Sequence, residues 1–254
     1  MAQDKIKIKN KNYMKYVIGN WKCHPASKIE AKKILSGYQK GIKKSSKVTV
    51  VVCPPACYLD LAKEILKNSA ALGGQNCHWE EGAFTGEISP AQLKSAGCSY
   101  AIIGHSERRH KFGETDQAIN KKVIAALAAG LTPIFCCGET REQRIDGQIT
   151  DIAEKQIEEG LKDVDLNSAP VMIAYEPVWA IGAGQACDSE EAAVISRFIK
   201  NIANEKIPLL YGGSVNAKNA ASYLKDAGYD GLLVGAAALD PKEFCAIIAA
   251  LRSL

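Results

Sequence analysis

Several short stretches of this chain hold side chains whose types and order could do chemistry. Lys22 follows Asn20 and Trp21 at the end of an apolar run, so an amide and an ammonium stand close together. Gly104-His105-Ser106-Glu107-Arg108-Arg109 follows another such run and gathers imidazole, hydroxyl, carboxylate and guanidinium. His105 is one of only four histidines, with His24, His78 and His110. Tyr175-Glu176-Pro177 ends a third run, where desolvation of the carboxylate would raise its pKa toward that of a useful base. The plainer role for Glu176 is to cap the next helix, but Val178-Trp179-Ala180-Ile181-Gly182-Ala183-Gly184 behind it is too apolar for a solvated loop. With a stiff start at Pro177 and bends at Gly182 and Gly184, the stretch from Pro177 to Gly184 suits a lid that excludes water. Gly212-Gly213-Ser214 and Gly235-Ala236 are loops of small residues whose backbone N–H groups can approach an anion. A base, an electrophile, an ammonium, an anion cup and a lid together suit proton abstraction beside a carbonyl, with Lys22 and His105 holding the enediolate.

Such residues must be delivered by a scaffold, and the chain shows one. Short β-branched runs alternate with helical patterns throughout, giving strand candidates at Tyr16–Asn20, Val48–Cys53, Leu72–Asn76, Tyr100–Gly104, Thr132–Cys137, Val171–Glu176, Leu209–Gly212 and Gly231–Gly235. They recur every ~31 residues, the size of one βα unit, and are apolar on both faces, as buried parallel strands must be. Helix starts are marked by Ser27-x-x-Glu30 and Asp188-x-x-Glu191 as capping boxes, and by Ser89-Pro90 and Asp240-Pro241. Gly130 ends a helix whose residues Ile119, Val123, Ala126 and Leu127 share one face. Eight units of this size form a closed (β/α)8 barrel or an open doubly wound sheet. An open dinucleotide-binding sheet should carry G-x-G-x-x-G after its first strand, and Gly19-Asn20-Trp21-Lys22-Cys23-His24 is no such sequence. The expected fold is therefore an α/β TIM barrel, eight parallel strands with the helices outside. In it every βα loop opens on one face, and every candidate residue above follows a strand.

Composition narrows the function classes. The 254 residues are 47% hydrophobic and 24% charged, a globular composition. Residues 1 to 15 carry Lys5, Lys7, Lys9, Lys11 and Lys15 against Asp4, while the remaining chain balances at 27 cations and 27 anions. A neutral body lacks the basic face that nucleic acid requires. The leader reads as a flexible basic extension, leaving 16–254 as one catalytic domain. The longest apolar run, Phe244 to Leu251, is far short of the ~20 residues of a membrane helix. Nine scattered cysteines show no repeated zinc spacing and no secretory signal, which points to free thiols in a reducing cytoplasm.

Taken together, Asn20-Trp21-Lys22, Gly86-Glu87-Ile88-Ser89, Gly104-His105-Ser106-Glu107-Arg108-Arg109, Phe112-Gly113-Glu114, Ala174-Tyr175-Glu176-Pro177-Val178-Trp179-Ala180-Ile181-Gly182 and Tyr211-Gly212-Gly213-Ser214-Val215 resemble the signatures of the triosephosphate isomerases, in order and spacing, from about Tyr16 onward. The resemblance implies interconversion of dihydroxyacetone phosphate and D-glyceraldehyde 3-phosphate, in glycolysis and gluconeogenesis, without cofactor or metal. It also implies a set of roles worked out for that family rather than read from these residues. Glu176 moves the proton, and His105, kept neutral by a helix N-terminus, polarises the carbonyl. Lys22 offsets the substrate's charge, Asn20 binds substrate oxygens, and Glu107 stands behind Lys22 and His105. Backbone N–H groups of Gly182, Ser214, Gly235 and Ala236 surround the phosphate, and the lid protects the enediolate. The family is dimeric, which implies a homodimer with Gln75–Glu87, including Phe84 and Thr85, set against the partner around Cys23.

The chain departs from the family pattern in places. Cys23-His24-Pro25 replaces a usual Asn-Gly continuation, stiffening a loop expected to meet the partner. Ala236 replaces a glycine, at a cost of about 1 kcal/mol if the position needs positive φ. Ala183 and Ala238 replace a frequent Thr and Ser without removing a catalytic group. Two other readings share parts of the pattern. A Schiff-base aldolase would form a borohydride-trappable adduct on Lys22, and a noncatalytic phosphate binder would normally have lost Glu176 or His105.

Overall fold

The computed structural model describes residues 14–43, 45–181 and 187–254. Its strands are β1 (Lys15–Asn20), β2 (Val48–Cys53), β3 (Ala71–Gly74), β4 (Cys98–Ile103), β5 (Thr132–Cys137), β6 (Met172–Tyr175), β7 (Leu209–Tyr211) and β8 (Gly231–Val234). Each pairs in parallel with the next, and β1 also pairs with β8, so the sheet closes into the expected barrel. The helices are α1 (Lys28–Gly41), α2 (Leu59–Leu66), α3 (Pro90–Ser95), α4 (Ser106–Phe112), α5 (Asp116–Ala128), α6 (Arg141–Ile145), α7 (Ile149–Gly160), α8 (Ser189–Ala203), α9 (Ala220–Lys225) and α10 (Pro241–Arg252). The apolar stretch around Phe244 is the inner face of α10, and among the described residues no helix is long and apolar enough to cross a membrane.

Two apolar layers explain why the strand sequences are greasy throughout. Alternate strand residues, among them Ile18, Val51, Ile102, Ile134, Met172, Leu210 and Leu233, fill the barrel interior. Their neighbours Val17, Val52, Ile103, Phe135, Ile173 and Val234 face outward into the larger core under the helices. Period two in a strand sends successive side chains to opposite faces, and here both faces are buried.

Side-chain caps stand where the sequence marks these helix starts, but neither of the two expected capping boxes closes. The Ser27 hydroxyl accepts the Glu30 N–H, but the Glu30 carboxylate takes the Ser27 hydroxyl at 3.1 Å rather than reaching back to the backbone, whereas Ser89 with Gln92 forms a reciprocal capping box ahead of Pro90. Asp240 caps α10 through the Lys242 N–H. Asp188 caps α8 through the Glu190 N–H, but Glu191 does not reach back as a capping box requires. Its carboxylate is taken by the Cys187 thiol and, at 2.8 Å, by Arg144, a partner too distant in sequence for local spacing to reveal.

Strand ends differ by a residue or two where tertiary contacts intervene. The extended run expected to reach Asn76 stops at Gly74, and past the ladder the side chains of Gln75 and Asn76 bond to the Lys22 carbonyl and to Lys122. β4 begins earlier than its apolar run, at Cys98, where a register shift between Leu72 and Gly73 lets Cys98 pair with Leu72. Lys15, counted with the basic leader, opens β1 and donates from Nζ to the Leu251 carbonyl at 3.2 Å. Lys5, Lys7, Lys9 and Lys11 lie outside the described residues.

At the rim carrying the strand C-termini, Gly138 is a position only glycine fits. A Cβ there would lie 1.9 Å from the Glu176 carbonyl oxygen, and φ is +154°. The close approach lets the Glu176 N–H donate to the Cys137 carbonyl at 2.7 Å, extending the β5–β6 pairing to Glu176.

Candidate active site

β4 ends at Ile103, Gly104 turns with φ of +73°, and His105 becomes the N-cap of α4. The imidazole Nδ1 accepts the Glu107 backbone N–H at 3.2 Å. With Nδ1 accepting, the ring proton of the neutral imidazole sits on Nε2. Nε2 lies 3.0 Å from Glu176 Oε1. That approach is too oblique for a hydrogen bond, so Oε1 is buried with no aligned donor. The other oxygen, Oε2, accepts the Ser106 backbone N–H at 2.8 Å. Glu176 is only 1% exposed, and Gly212 makes room for it, since a Cβ there would lie 2.9 Å from Glu176 Cγ. The site thus holds a carboxylate with one anchored oxygen and one idle one.

Burial, the largest influence on His105, disfavours the imidazolium, but the Glu176 and Glu107 carboxylates outweigh it and raise its pKa above 6.5. The helix N-terminus therefore does not set the balance alone in this arrangement, as the resemblance implied. The folded protein holds this proton more tightly than the unfolded chain, where a histidine titrates near ~6.5. The resulting stability is complete below about pH 6.5 and is lost as pH rises through the folded value. Urea unfolding of the parent and of His105→Gln across this range is expected to show a gap that widens toward acid; a gap widening toward alkali would contradict the sign.

Lys22 approaches from β1. Its backbone is left-handed, with φ of +53°, and its N–H donates to Asn20 Oδ1 at 3.0 Å. Its ammonium meets Glu107 Oε1 at 2.8 Å. Burial works against the Glu107 carboxylate, yet Lys22 and His105 hold its pKa below the ordinary value. The same ammonium overhangs β8, because a Cβ added at Gly235 would stand 3.8 Å from Lys22 Nζ. A cavity of about 320 Å³ joins Asn20, Lys22, His105, Glu176, Ile181, Ser214, Gly235 and Ala236. Ala236 opens a 3-10 turn, Ala236–Leu239, and its φ is not positive, so its methyl group carries none of the strain expected of a glycine position.

The start of the expected lid is tied down. Pro177 leads into a 3-10 turn, Val178–Ala180. Glu139, fully buried, accepts from Tyr175 Oη at 2.9 and 3.1 Å, from Trp179 Nε1 at 2.9 Å and from Arg144 at 3.2 Å. The Ser214 hydroxyl donates to the Ala180 carbonyl at 2.6 Å. Gly182, Ala183 and Gly184 lie outside the described residues. Among the described residues, no three His, Cys, Asp or Glu side chains converge as a metal site would need.

Two contributors are missing from the candidates read from the sequence. Ser106 anchors Glu176 through a backbone N–H, which any residue could supply. Glu139 follows β5 just as the other candidates follow their strands, and that placement is the signal that marks it.

A carboxylate and an imidazole share one wall of a barrel mouth, with an ammonium and small-residue loops across from them. This combination defines a barrel enzyme that shuttles protons on an anionic substrate. A family profile described as triosephosphate isomerase matches residues 15–251, and the chain belongs to that family. Among its relatives named triosephosphate isomerase, that of Aquifex aeolicus is 42% identical, covering 91% of this chain and 97% of its own. The relative from Hydrogenovibrio crunogenus is 43% identical, over 91% and 96%, and that from Dictyoglomus thermophilum 42%, over 92% and 98%.

Proposed function

We propose that Glu176 is the base with which this chain interconverts dihydroxyacetone phosphate and D-glyceraldehyde 3-phosphate, the reaction of its family. The observation that carries this reading is Oε1 of Glu176, buried without an aligned donor and 3.0 Å from His105 Nε2, on a residue that lines the shared cavity. Glu176 removes a proton from the carbon beside the carbonyl and returns it to the neighbouring carbon. His105 Nε2–H polarises the carbonyl oxygen, and the Lys22 ammonium offsets the charge of the enediolate. Asn20 accepts the Lys22 N–H in its left-handed turn and binds substrate oxygens. Glu107 fixes the ammonium. Backbone N–H groups of Ser214, Gly235 and Ala236, with Gly182 of the lid, take the phosphate. The lid from Pro177 to Gly184 closes over it and keeps water from the enediolate.

A homodimer completes this reading. Beside the site lies a second cavity of about 340 Å³, lined by Cys23, Gln75, Glu87 and Phe112 among others. Phe84 and Phe112 are exposed, at 38% and 70%. The Gln75–Glu87 loop of a second copy, with Phe84 and Thr85, is the occupant that fits it. The residues ahead of β1 then form a basic extension to a single catalytic domain that begins at Lys15, and the enzyme works in the cytoplasm. Supplying glyceraldehyde 3-phosphate and following dihydroxyacetone phosphate through NADH oxidation is expected to show turnover, and sedimentation at micromolar concentration a dimer. A folded protein with no turnover overturns the reaction, and a fully active monomer overturns the assembly.

A further inference from the structure

Gln75 leaves the end of β3 and sends its amide back across the barrel mouth. Its Nε2 donates to the Lys22 carbonyl at 2.9 Å and to the Cys53 carbonyl, the last of β2, also at 2.9 Å. Lys22 is one of three non-glycine residues with positive φ among the described residues. A lysine gains nothing intrinsic from that conformation, which persists only where surrounding contacts hold it. Three contacts do so here: Asn20 takes the Lys22 N–H, Gln75 takes its carbonyl, and Glu107 takes its ammonium. Without the amide of Gln75, the Lys22 carbonyl loses its partner and the turn is free to relax toward negative φ, carrying the ammonium with it.

The residue beside Gln75 explains why the amide stays where it is. Asn76 Oδ1 accepts from Lys122 Nζ at 2.9 Å, and the same ammonium pairs with Glu114. Lys122 is a lysine only 4% exposed in its side chain. Glu114 is bound in turn by Arg108 Nε at 2.5 Å, and Arg108 directly follows Glu107 in α4. The contacts form a ring: Lys22 to Glu107, along the chain to Arg108, through Glu114 and Lys122 to Asn76, along the chain to Gln75, and back to the Lys22 carbonyl. Both ends of Lys22, head group and carbonyl, are thereby referred to one buried charge cluster.

We infer that Gln75 is a positioning residue for this reaction, holding Lys22 in its left-handed turn so that the ammonium faces the enediolate and the phosphate. This rests on the role given to Lys22 above and deepens it. Gln75 touches no reacting atom; it acts through the Lys22 backbone.

The test is a double-mutant cycle on the full chain, using Gln75→Met, which keeps the length and loses the donors, together with Lys22→Ala. Gln75→Met in the parent is expected to lower kcat/KM by about 10- to 100-fold, the effect of misplacing a group by about 1 Å. In the Lys22→Ala background the same change is expected to cost less than about 2-fold, because nothing is left to position. A merely structural glutamine would produce equal losses in both backgrounds, and that result overturns the inference, as does full activity in Gln75→Met. Should Gln75→Met not fold, Gln75→Asn, which keeps the amide and shortens the reach, is carried through the same cycle with the same readings. Lys22→Ala alone separates the two claims. If it leaves turnover intact, the role of Lys22 fails and the positioning claim with it. If it lowers turnover while the Gln75 variants keep full activity, only the positioning claim fails.

Discussion

Replacing Glu176 by Gln is expected to lower kcat by about 10³-fold or more while leaving the fold and the KM for glyceraldehyde 3-phosphate within a few-fold of the parent. The amide matches the carboxylate in size, so the space cleared by Gly212 still fits it. Its oxygen can still accept the Ser106 N–H that anchors Oε2. The small-residue end of the cavity, at Ser214, Gly235 and Ala236, where the phosphate is proposed to sit, is untouched. Only the capacity of the idle oxygen to take a proton disappears, so the loss belongs in kcat. Glu176→Asp provides a graded control: the carboxylate survives but retreats by one methylene, and about 10²-fold is the expected loss from a displacement of ~1 Å. Steady-state kinetics with urea unfolding on the same preparations decides the matter. If Glu176→Gln retained kcat within about 5-fold of the parent, the proton would have to be moved by another group.

The second large effect is expected at a glycine that itself touches no reacting atom. Gly138→Ala should destabilise the protein by about 3 kcal/mol and depress turnover as well, because the added methyl group meets backbone rather than a yielding side chain. The Cβ would stand 1.9 Å from the Glu176 carbonyl oxygen and 2.7 Å from its carbon. Relief requires β5 and β6 to part at their C-terminal ends, which carries Glu176 away from His105 and the Ser106 N–H. Gly147→Ala is the matching control, with φ of +73° and nothing within 4 Å of the added atom. It should cost only the conformational term of about 1 kcal/mol and leave kcat unchanged. Equal effects in urea midpoint and kcat from the two substitutions would show that the contact with Glu176 is not what demands glycine at 138.

The barrel was legible because its signal is repeated. Val48–Cys53 and Thr132–Cys137 are β-branched or apolar at successive positions, and each is bounded by turn residues, so their limits match the structure. β3 was harder to delimit, since Ala71–Gly74 is small and half glycine, and past its end the side chains of Gln75 and Asn76 bond to the Lys22 carbonyl and to Lys122. Side chains at strand ends could be listed from spacing alone, yet what they touch could not. That His105 would cap α4 through Nδ1 depends on the turn at Gly104, and that Glu176 would rest on Ser106 depends on two strands lying side by side. Glu191 shows the limit from the other direction: its spacing fits a capping box, and a distant arginine claims it instead.

The pairing of β1 with β8 has one more consequence. The cation that faces the phosphate end follows the first strand, and the backbone cup at Gly235 and Ala236 follows the last. A nascent chain therefore carries every acid–base group through Glu176 before it owns a place for the substrate's phosphate. Until the final strand emerges and the ring shuts, the site has a proton-transfer half and no anchoring half. On the proposed assignment, a truncated product that lacks its last strand has neither the closed ring nor the cup for the phosphate.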